Sequence, residues 1–255
     1  MLNSEEIKRR FPALAAVEVY DSIDSTNARA VTLARAGAGD LTLVLSDSQT
    51  CGRGRVARPF YSPPGTGIYL TLLTRPRVTP ELLAHLTPLA AVAAAEAIET
   101  TCGVRVGVKW VNDLWLGGKK ITGILTEGAF RPDGAPDYAV IGIGINVGHM
   151  AFPADIAATA TSIANETGVA PDRDALTLAL IDRLLFHLGS FPGGDFLAAY
   201  RARSVLDGRE VTVVRGTETF RARVLCIDPD GALRLRLPDG GECTLSSGEI
   251  AHVTP

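Results

Sequence analysis

The sequence predicts an α+β fold that ends in a small β-barrel, and two observations support this prediction. Up to about residue 204, apolar strand-like segments alternate with helical segments of several lengths. After Leu206, short alternating strands are separated by Asp-Gly turns at 230–231 and 239–240. The roughly fifty residues of this segment are too few for a β-sandwich and suit an SH3-like barrel. We therefore divide the chain into a domain of residues 1–204 and a C-terminal module of residues 205–255.

The elements of the first domain follow from apolar runs and from the polar or glycine-rich segments between them. Strands are predicted at 17–20, 41–46, 67–75, 104–110, 119–130 and 137–148. Helices are predicted after the N-cap candidates Asp24, Ser25 and Thr26, over 80–101, and as two segments within 172–203. The pair Gly117-Gly118 indicates a hairpin.

Composition argues against several classes of protein. The chain has 255 residues, of which 46% are apolar, and a net charge of −3, so it has material for a core and no basic field for nucleic acid. Its four cysteines lack CxxC spacing, which argues against structural zinc and fits a reducing compartment. The first twenty residues lack the apolar run of a signal peptide. Pro88 and Glu96 interrupt the Ala-rich stretch 86–98, which favours a core helix over a membrane span. We expect a cytoplasmic protein without a membrane partner.

Residues 47–60, DSQTCGRGRVARPF, combine glycines with three arginines and show no apolar periodicity. Gly52 and Gly54 let the backbone approach a ligand closely. Arg53 and Arg55 carry guanidinium groups that bind carboxylate or phosphate at two points. The segment predicts a flexible anion-binding loop, and a solvated basic loop is the alternative.

The segment 109–124 places Lys109, Asn112, Asp113 and Lys120 between apolar strands, where a sheet usually carries Val or Ile. Lysines and aspartates are seldom fully buried there unless they are paired. These residues are candidates for a reaction site. The alternative is a structural ion pair between Lys109 and Asp113 on a surface hairpin.

In the strand GIGINV, Gly142 and Gly144 alternate and therefore face the same side. The missing side chains leave room for a flat ligand or a neighbouring backbone. A bulge or tight packing is the alternative. Asn146 closes the strand.

In the segment DSTNA, a helix cap explains one of Ser25 and Thr26 but does not explain Asn27. A helix N-terminus also accommodates polar or anionic ligand atoms. An ordinary cap is the alternative here.

Taken together and in this order, the motifs resemble those of the biotin protein ligases. The matching segments are Ser25-Thr26-Asn27, Gln49 before Gly52-Arg53-Gly54-Arg55, Lys109-Trp110-Val111-Asn112-Asp113, Lys120-Ile121-Thr122-Gly123-Ile124 and Gly142-Ile143-Gly144-Ile145-Asn146. The resemblance covers roughly residues 15–255 and includes the C-terminal module with its LSSGEI segment. It implies a mixed sheet with flanking helices, similar to that of class II aminoacyl-tRNA synthetases, in a monofunctional ligase without an N-terminal DNA-binding domain.

Two positions depart from the family pattern. Val111 stands where the family has proline, which would stiffen the turn that aims Asn112 and Asp113. Ala57 stands where the family has glycine, and alanine disfavours a positive φ. Neither change removes a charged or hydrogen-bonding group, so we expect effects on loop ordering and rate rather than on the type of reaction.

The resemblance implies a reaction in two steps. Biotin and ATP would form biotinyl-5′-AMP and pyrophosphate, with Mg²⁺ on the phosphates, and biotin would then pass to a lysine of a carrier domain in a biotin-dependent carboxylase such as acetyl-CoA carboxylase. Arg53, Arg55 and Lys120 would offset the repulsion between the biotin carboxylate and the α-phosphate. Asp113 is the candidate base for the second step, and a charge partner that orients the incoming ammonium is the alternative. No protein-held metal is expected.

The resemblance also assigns ligand contacts. The implied biotin-binding residues are Ser25, Thr26, Asn27, Gln49, Gly52, Arg53, Gly54, Arg55, Lys120, Gly123, Gly142 and Gly144. The implied ATP-binding residues are Arg53, Arg55, Arg58, Asn112, Lys120 and Asn146. We expect the arginine loop to be mobile when empty and to close over the acyl-adenylate, excluding water.

Other functions stay open at this point. A lipoate or octanoyl ligase shares the fold, although the Gly-Arg-Gly-Arg and Gly-x-Gly-Ile-Asn segments argue against it. A biotin-responsive repressor needs a helix-turn-helix unit, whereas only about twenty residues precede the first strand. A biotin-binding module without catalysis is a third reading. We expect no DNA partner, and a homodimer is compatible with the sequence.

Overall fold

The computed structural model describes residues 2–253 and contains two β-sheets. The strands of the first sheet are β1 (Ala16–Tyr20), β2 (Thr42–Ser46), β3 (Gly67–Thr74), β4 (Gly107–Lys109), β5 (Asp113–Leu116), β6 (Lys119–Phe130) and β7 (Pro136–Asn146). The helices are α1 (Ser4–Arg10), α2 (Thr26–Arg35), α3 (Leu86–Cys102), α4 (Ile163–Thr167), α5 (Arg173–Ser190) and α6 (Phe196–Arg201). Short 3₁₀ segments cover Arg55–Ala57 and Pro80–His85. The second sheet contains β8 (Glu210–Arg215), β9 (Glu218–Ile227), β10 (Leu233–Arg236), β11 (Glu242–Leu245) and β12 (Glu249–Val253).

The first sheet is mixed, as the resemblance implies. Its order is β1-β2-β3-β7-β6-β5-β4. Strand β1 runs parallel to β2, and the other neighbouring strands are antiparallel. The pairing of β6 with β7 places Gly123 opposite Gly144. Two of the predicted glycine motifs therefore adjoin in the middle of the sheet.

Helices cover both faces of this sheet. Successive strand residues point to opposite faces, so Leu43 and Leu45 join the large core under α3 and α5, whereas Val44 faces the other side. On that side Ala30 and Ala34 of α2 pack in a second apolar cluster. Apolar packing therefore buries both faces of the sheet, with α2 on the face opposite α3 and α5.

One stretch of the described residues, Pro80–Cys102, is long and apolar enough to cross a membrane. Most of it is buried inside the protein, where α3 packs against α5. This burial accounts for its apolar composition and agrees with the predicted core helix.

Predicted and observed elements differ in four places. The sequence predicts a connection at 113–116, whereas this segment forms β5, because Leu114 is fully buried and pairs on both sides. The strand predicted at 104–110 is reduced to β4. Helices α1 and α4 are not predicted. In α1, Asn3 caps the helix by accepting from Glu6 N at 2.8 Å.

The second sheet has the order β11-β10-β9-β8-β12 and is antiparallel throughout. This five-stranded arrangement agrees with the predicted SH3-like module. The buried Trp110 donates its indole Nε1–H to the carbonyl oxygen of Gly231 at 2.9 Å. Trp110 therefore ties the predicted reaction segment directly to the C-terminal module.

Candidate active site

Most of the predicted biotin-binding residues meet at one small cavity near the middle of the first sheet. The cavity is lined by Ser25, Thr26, Asn27, Gln49, Arg53, Phe60, Gly123, Leu125, Gly142, Ile143 and Gly144. Of the remaining predicted residues, Gly52 lies beside Gln49, and the side chain of Lys120 lies beside Gly123. Gly54 and Arg55 lie farther along the arginine loop. Segments that are distant in sequence therefore form one site.

Gln49 is held in a single orientation by its neighbours. Its Oε1 accepts from the backbone N–H of Thr26 at 2.9 Å and from the Thr26 hydroxyl at 3.1 Å. Its Nε2 donates to Ser62 Oγ at 3.0 Å. Because a backbone N–H can only donate, the oxygen of the Gln49 amide must face Thr26. The second hydrogen on Nε2 remains for a ligand carbonyl. Ser25 caps α2, with its Oγ accepting from Ala28 N at 3.4 Å.

Asn27 uses its amide within the protein. Its Nδ2 donates to Leu125 O at 3.2 Å and to Glu127 Oε2 at 2.9 Å, and its Oδ1 accepts from the Thr71 hydroxyl at 2.7 Å. A Cβ atom at Gly142 would overlap the Asn27 side chain. The Asn27 side chain therefore lines the cavity and occupies the space beside Gly142.

Asp113 forms its close ion pair with Lys120 rather than with Lys109. Lys120 Nζ lies 2.8 Å from Asp113 Oδ1, although the angles at this contact do not satisfy hydrogen-bond geometry. The two side chains keep 33% and 16% of their exposure, respectively, so the pair is accessible from the cleft. The predicted structural ion pair between Lys109 and Asp113 is therefore wrong, because the close partner of Asp113 is Lys120.

Lys109 lies with its ammonium 5.2 Å from the centre of the Trp115 ring. Burial lowers the pKa of Lys109 below its usual 10.5, and the nearby Lys120 also lowers it, whereas Asp113 partly opposes this shift. Lys109 is therefore a desolvated residue that lies near enough to Asp113 and Lys120 for their charges to act on it. Farther along the same segment, the peptide bond between Trp110 and Val111 is cis.

The arginine loop forms a narrow turn over the cavity. Gly54 N donates to Arg58 O at 2.7 Å, and Phe60 N donates to Gly52 O at 2.9 Å. Val56 and Ala57 in this turn both have a positive φ, of 53° and 55° respectively. The position where the family has glycine therefore adopts the left-handed conformation, which costs an alanine about 1–2 kcal/mol.

The three arginines of this loop have different partners. Arg53 is exposed and lines the cavity. Arg55 Nη1 donates to Asn112 Oδ1 at 3.2 Å. Arg58 pairs with Glu249 of β12 at 2.5 Å, which connects the loop to the C-terminal module. One of the three arginines therefore lies at the cavity, and the other two connect the loop to Asn112 and to the C-terminal module.

Asn146 lies at the end of β7 and is almost completely buried. Its Nδ2 donates to Thr161 O at 2.9 Å, whereas its Oδ1 has no hydrogen-bond partner among the described residues. A buried amide oxygen without a donor is costly. The same atom is shielded from solvent, so a ligand N–H group would reach it only after a local rearrangement.

Sequence reasoning missed several residues of the site. Thr71 and Glu127 hold Asn27, and Ser62 holds Gln49. The signal for Thr71 was its position as a polar residue within the apolar strand GIYLTLLT. Glu249 has no local signal, because its role depends on how the second sheet packs against the first.

The chain matches two known families. Residues 19–146 match the biotin/lipoate A/B protein ligase family, and residues 208–253 match the biotin protein ligase C terminal domain. It is similar to the bifunctional ligase/repressor BirA of Bacillus subtilis, with 40% identity over 87% of this chain and 69% of that protein. It is also similar to the biotin–[acetyl-CoA-carboxylase] ligase of Paracoccus denitrificans, with 34% identity over 85% of this chain and 92% of that one.

Solved structures give the same result. The biotin protein ligase from Aquifex aeolicus in complex with biotin and ATP superimposes with a TM-score of 0.79 and 27% identity, covering 92% of this chain and 97% of that one. The biotin protein ligase from Leishmania major in complex with biotinyl-5-AMP superimposes with a TM-score of 0.62 and 25% identity, covering 91% and 98% of the two chains. From its sequence, fold and site, this chain belongs to the biotin/lipoate A/B protein ligase family.

Proposed function

We propose that this protein is an ATP-dependent biotin protein ligase that transfers biotin to a lysine of a biotin carboxyl carrier domain. The observation that carries this proposal is the Lys120–Asp113 pair at the edge of a polar slot that Gln49 and Thr26 line. One cleft then offers groups for a cyclic urea, for a carboxylate and for an amine. The match of residues 208–253 to a biotin protein ligase domain favours biotin over lipoate.

The slot suits the ureido ring of biotin. The free hydrogen on Gln49 Nε2 would bind the ureido carbonyl, and the hydroxyl oxygens of Ser25 and Thr26 would accept from the ring N–H groups or donate to the carbonyl. A small set of fixed polar groups in an apolar slot gives orientation as well as affinity. The ring would lie beside Gly123 of β6 and Gly144 of β7, in the space that the Phe60 ring now takes.

The nucleotide would lie on the side of the loop and the β7 end. The unpaired Oδ1 of Asn146 supports this placement, because the amino group of adenine can donate to it. Arg53 and Arg55 would bind phosphate oxygens, and Asn112 would give up its bond to Arg55. Arg58 would follow when its pair with Glu249 opens.

In the first step, a carboxylate oxygen of biotin attacks the α-phosphorus, and the bond from that phosphorus to pyrophosphate breaks. Lys120 and the loop arginines would reduce the repulsion between the two anions. Among residues 2–253 no group of three or more His, Cys, Asp or Glu side chains could hold a metal ion. We therefore propose that Mg²⁺ enters with ATP, held by the phosphate oxygens.

In the second step, the neutral amine of the carrier lysine attacks the acyl carbon, and the bond to AMP breaks. A free lysine has a pKa of about 10.4, so the amine must lose a proton first. Asp113 would accept it. Its proximity to Lys120 means that Asp113 becomes available when Lys120 moves to the acyl phosphate.

The test is direct. The protein is incubated with biotin, MgATP and a carrier domain, and a covalent mass gain is measured on the carrier lysine. Pyrophosphate release without carrier isolates the first step and excludes a module that only binds biotin. Replacing biotin with lipoate tests the alternative acyl group. Lys120→Gln should abolish pyrophosphate release, whereas Lys119→Gln at the exposed hairpin should retain it; equal activity of the two variants would contradict the assignment.

A further inference from the structure

The slot between β6 and β7 is filled by an aromatic side chain of the protein itself. A Cβ atom placed on Gly123 would lie 2.9 Å from Cε2 of Phe60, and a Cβ atom on Gly144 would overlap the same ring. The Phe60 ring also packs edge-on against Tyr69, with 6.5 Å between ring centres. The space that the glycines leave is therefore occupied.

The remaining cavity is far too small for a ligand with two fused rings. Its volume is about 20 Å³, which is roughly the room that one water molecule needs. Phe60 also covers the reaction groups, since Lys120 Nζ lies 6.0 Å from the centre of its ring. A ligand that lay in the slot with its acid group at Lys120 would therefore have to displace the Phe60 ring.

We propose that Phe60 is a gate residue whose ring occupies the place of the biotin bicycle and must swing out before biotin enters. This inference rests on the proposed function, because it identifies biotin as the occupant. Phe60 then acts on the rate of entry as well as on the strength of binding. Its role differs from that of a fixed wall of the pocket.

The contacts around Phe60 couple the gate to ligand recognition. Ser62 Oγ donates to the carbonyl oxygen of Phe60 at 2.9 Å, and Gln49 Nε2 donates to Ser62 Oγ at 3.0 Å. Gly52 lies beneath this chain of bonds, and its carbonyl accepts from Phe60 N at 2.9 Å. A ligand carbonyl that accepts from Gln49 Nε2 would therefore act on the same chain of hydrogen bonds that holds the Phe60 backbone.

A gate makes a kinetic prediction that a wall does not. If only the open state binds, the apparent affinity falls in proportion to the open fraction. At high biotin concentration, the observed rate of association then levels off at the rate of opening. A pocket with a fixed aromatic wall shows an association rate that rises linearly with biotin concentration.

Stopped-flow measurement of biotin binding to the full chain tests the proposal. In Phe60→Ala, association should be faster by about tenfold if the open state is about a tenth of the molecules, and the levelling should disappear. Ser62→Ala should change association in the same direction and keep the aromatic ring. Phe186→Ala, which removes an exposed ring on α5, is the control and should behave as the wild type.

The outcomes separate the two proposals. If wild-type protein binds biotin and Phe60→Ala accelerates only dissociation, Phe60 is a wall and the gate is refuted. If wild-type protein binds no biotin, the proposed function itself fails. Circular dichroism checks folding, and Phe60→Leu, which keeps an apolar side chain of smaller size, replaces Phe60→Ala if the alanine variant is unfolded.

Discussion

Replacement of Asp113 by asparagine should separate the two steps of the proposed reaction. The substitution keeps the size of the side chain and removes both the charge and the base. General base catalysis contributes about 10²–10⁴ in rate, which corresponds to roughly 3–5 kcal/mol of transition-state stabilisation. We therefore expect transfer to the carrier to fall by this factor. Adenylate formation, which needs Lys120 rather than the carboxylate, should fall by less than about tenfold.

The structure limits the effect of the same change on stability. The Lys120 and Asp113 side chains keep 33% and 16% of their exposure, so this partly screened pair should contribute about 1–2 kcal/mol, between the values for exposed and for buried pairs. A large loss of transfer cannot then be attributed to unfolding. Denaturant unfolding of Asp113→Asn measures this loss of stability.

The assay follows each step in a single turnover. Pyrophosphate release reports adenylate formation, and mixing preformed enzyme–adenylate with carrier reports transfer. The control is Asp137→Asn, which removes an equivalent pair with Arg75, at 3.2 Å, away from the cavity. The transfer defect of Asp113→Asn should also shrink as the pH approaches about 10.4, where the carrier amine loses its proton without help. An equal loss in both steps, independent of pH, would refute the assignment of Asp113 as the base.

Three further outcomes are expected. Burial raises the pKa of Tyr200 in the folded protein. The neutral hydroxyl therefore contributes its full stability below the pKa of about 10 in the unfolded chain, and this contribution is lost as the pH rises above that value. In denaturant unfolding, Tyr200→Phe should be about 1 kcal/mol less stable at neutral pH and should lose less stability at alkaline pH than the wild type. Gly142→Ala, whose Cβ would overlap a buried amide, should destabilise the protein by about 1–3 kcal/mol, whereas Gly189→Ala, which meets open space in α5, should not; thermal unfolding compares the two. Glu249→Gln removes the ion pair with Arg58, so without ligands trypsin should cut the arginine loop of this variant faster than that of the wild type. Biotin and ATP should protect the loop in both proteins. Equal cleavage of the two proteins without ligands would contradict a role of this ion pair in holding the loop.

Local sequence signals were sufficient where one segment determines its own structure. Ser25 is the N-cap of α2, because a polar side chain before an apolar run satisfies the free N–H groups of the first turn. Gly142 and Gly144 face the same cavity, as the two-residue period of a strand requires. The small C-terminal sheet followed from short alternating strands and Asp-Gly turns in the same way.

Partners across the fold could not be derived from the sequence. Lys109 and Asp113 are opposite each other in the β4–β5 pair, so a cross-strand ion pair between them was reasonable. The observed pair is with Lys120, because the Lys109 ammonium is over the ring of Trp115. Asp113 in β5 lies between Lys109 in β4 and Lys120 in β6. The choice between the two lysines depends on how their side chains pack, and residue spacing in the sequence does not reveal that choice.

Two ion pairs at the site hold charged groups that the proposed reaction uses, and these pairs can control when each group becomes available. Lys120 neutralises Asp113, and Glu249 neutralises Arg58, so the absence of substrate leaves no unpaired charge at these positions. An incoming anion must offer each cation more than its present partner does. In the proposed reaction, the acyl-adenylate draws Lys120 toward its phosphate, and Asp113 is left without its counter-ion at the moment when the carrier amine needs a base. A Lys120→Arg variant that forms adenylate but keeps Asp113 paired should accumulate the adenylate and transfer slowly, whereas rapid transfer in that variant would show that release of Asp113 is not required.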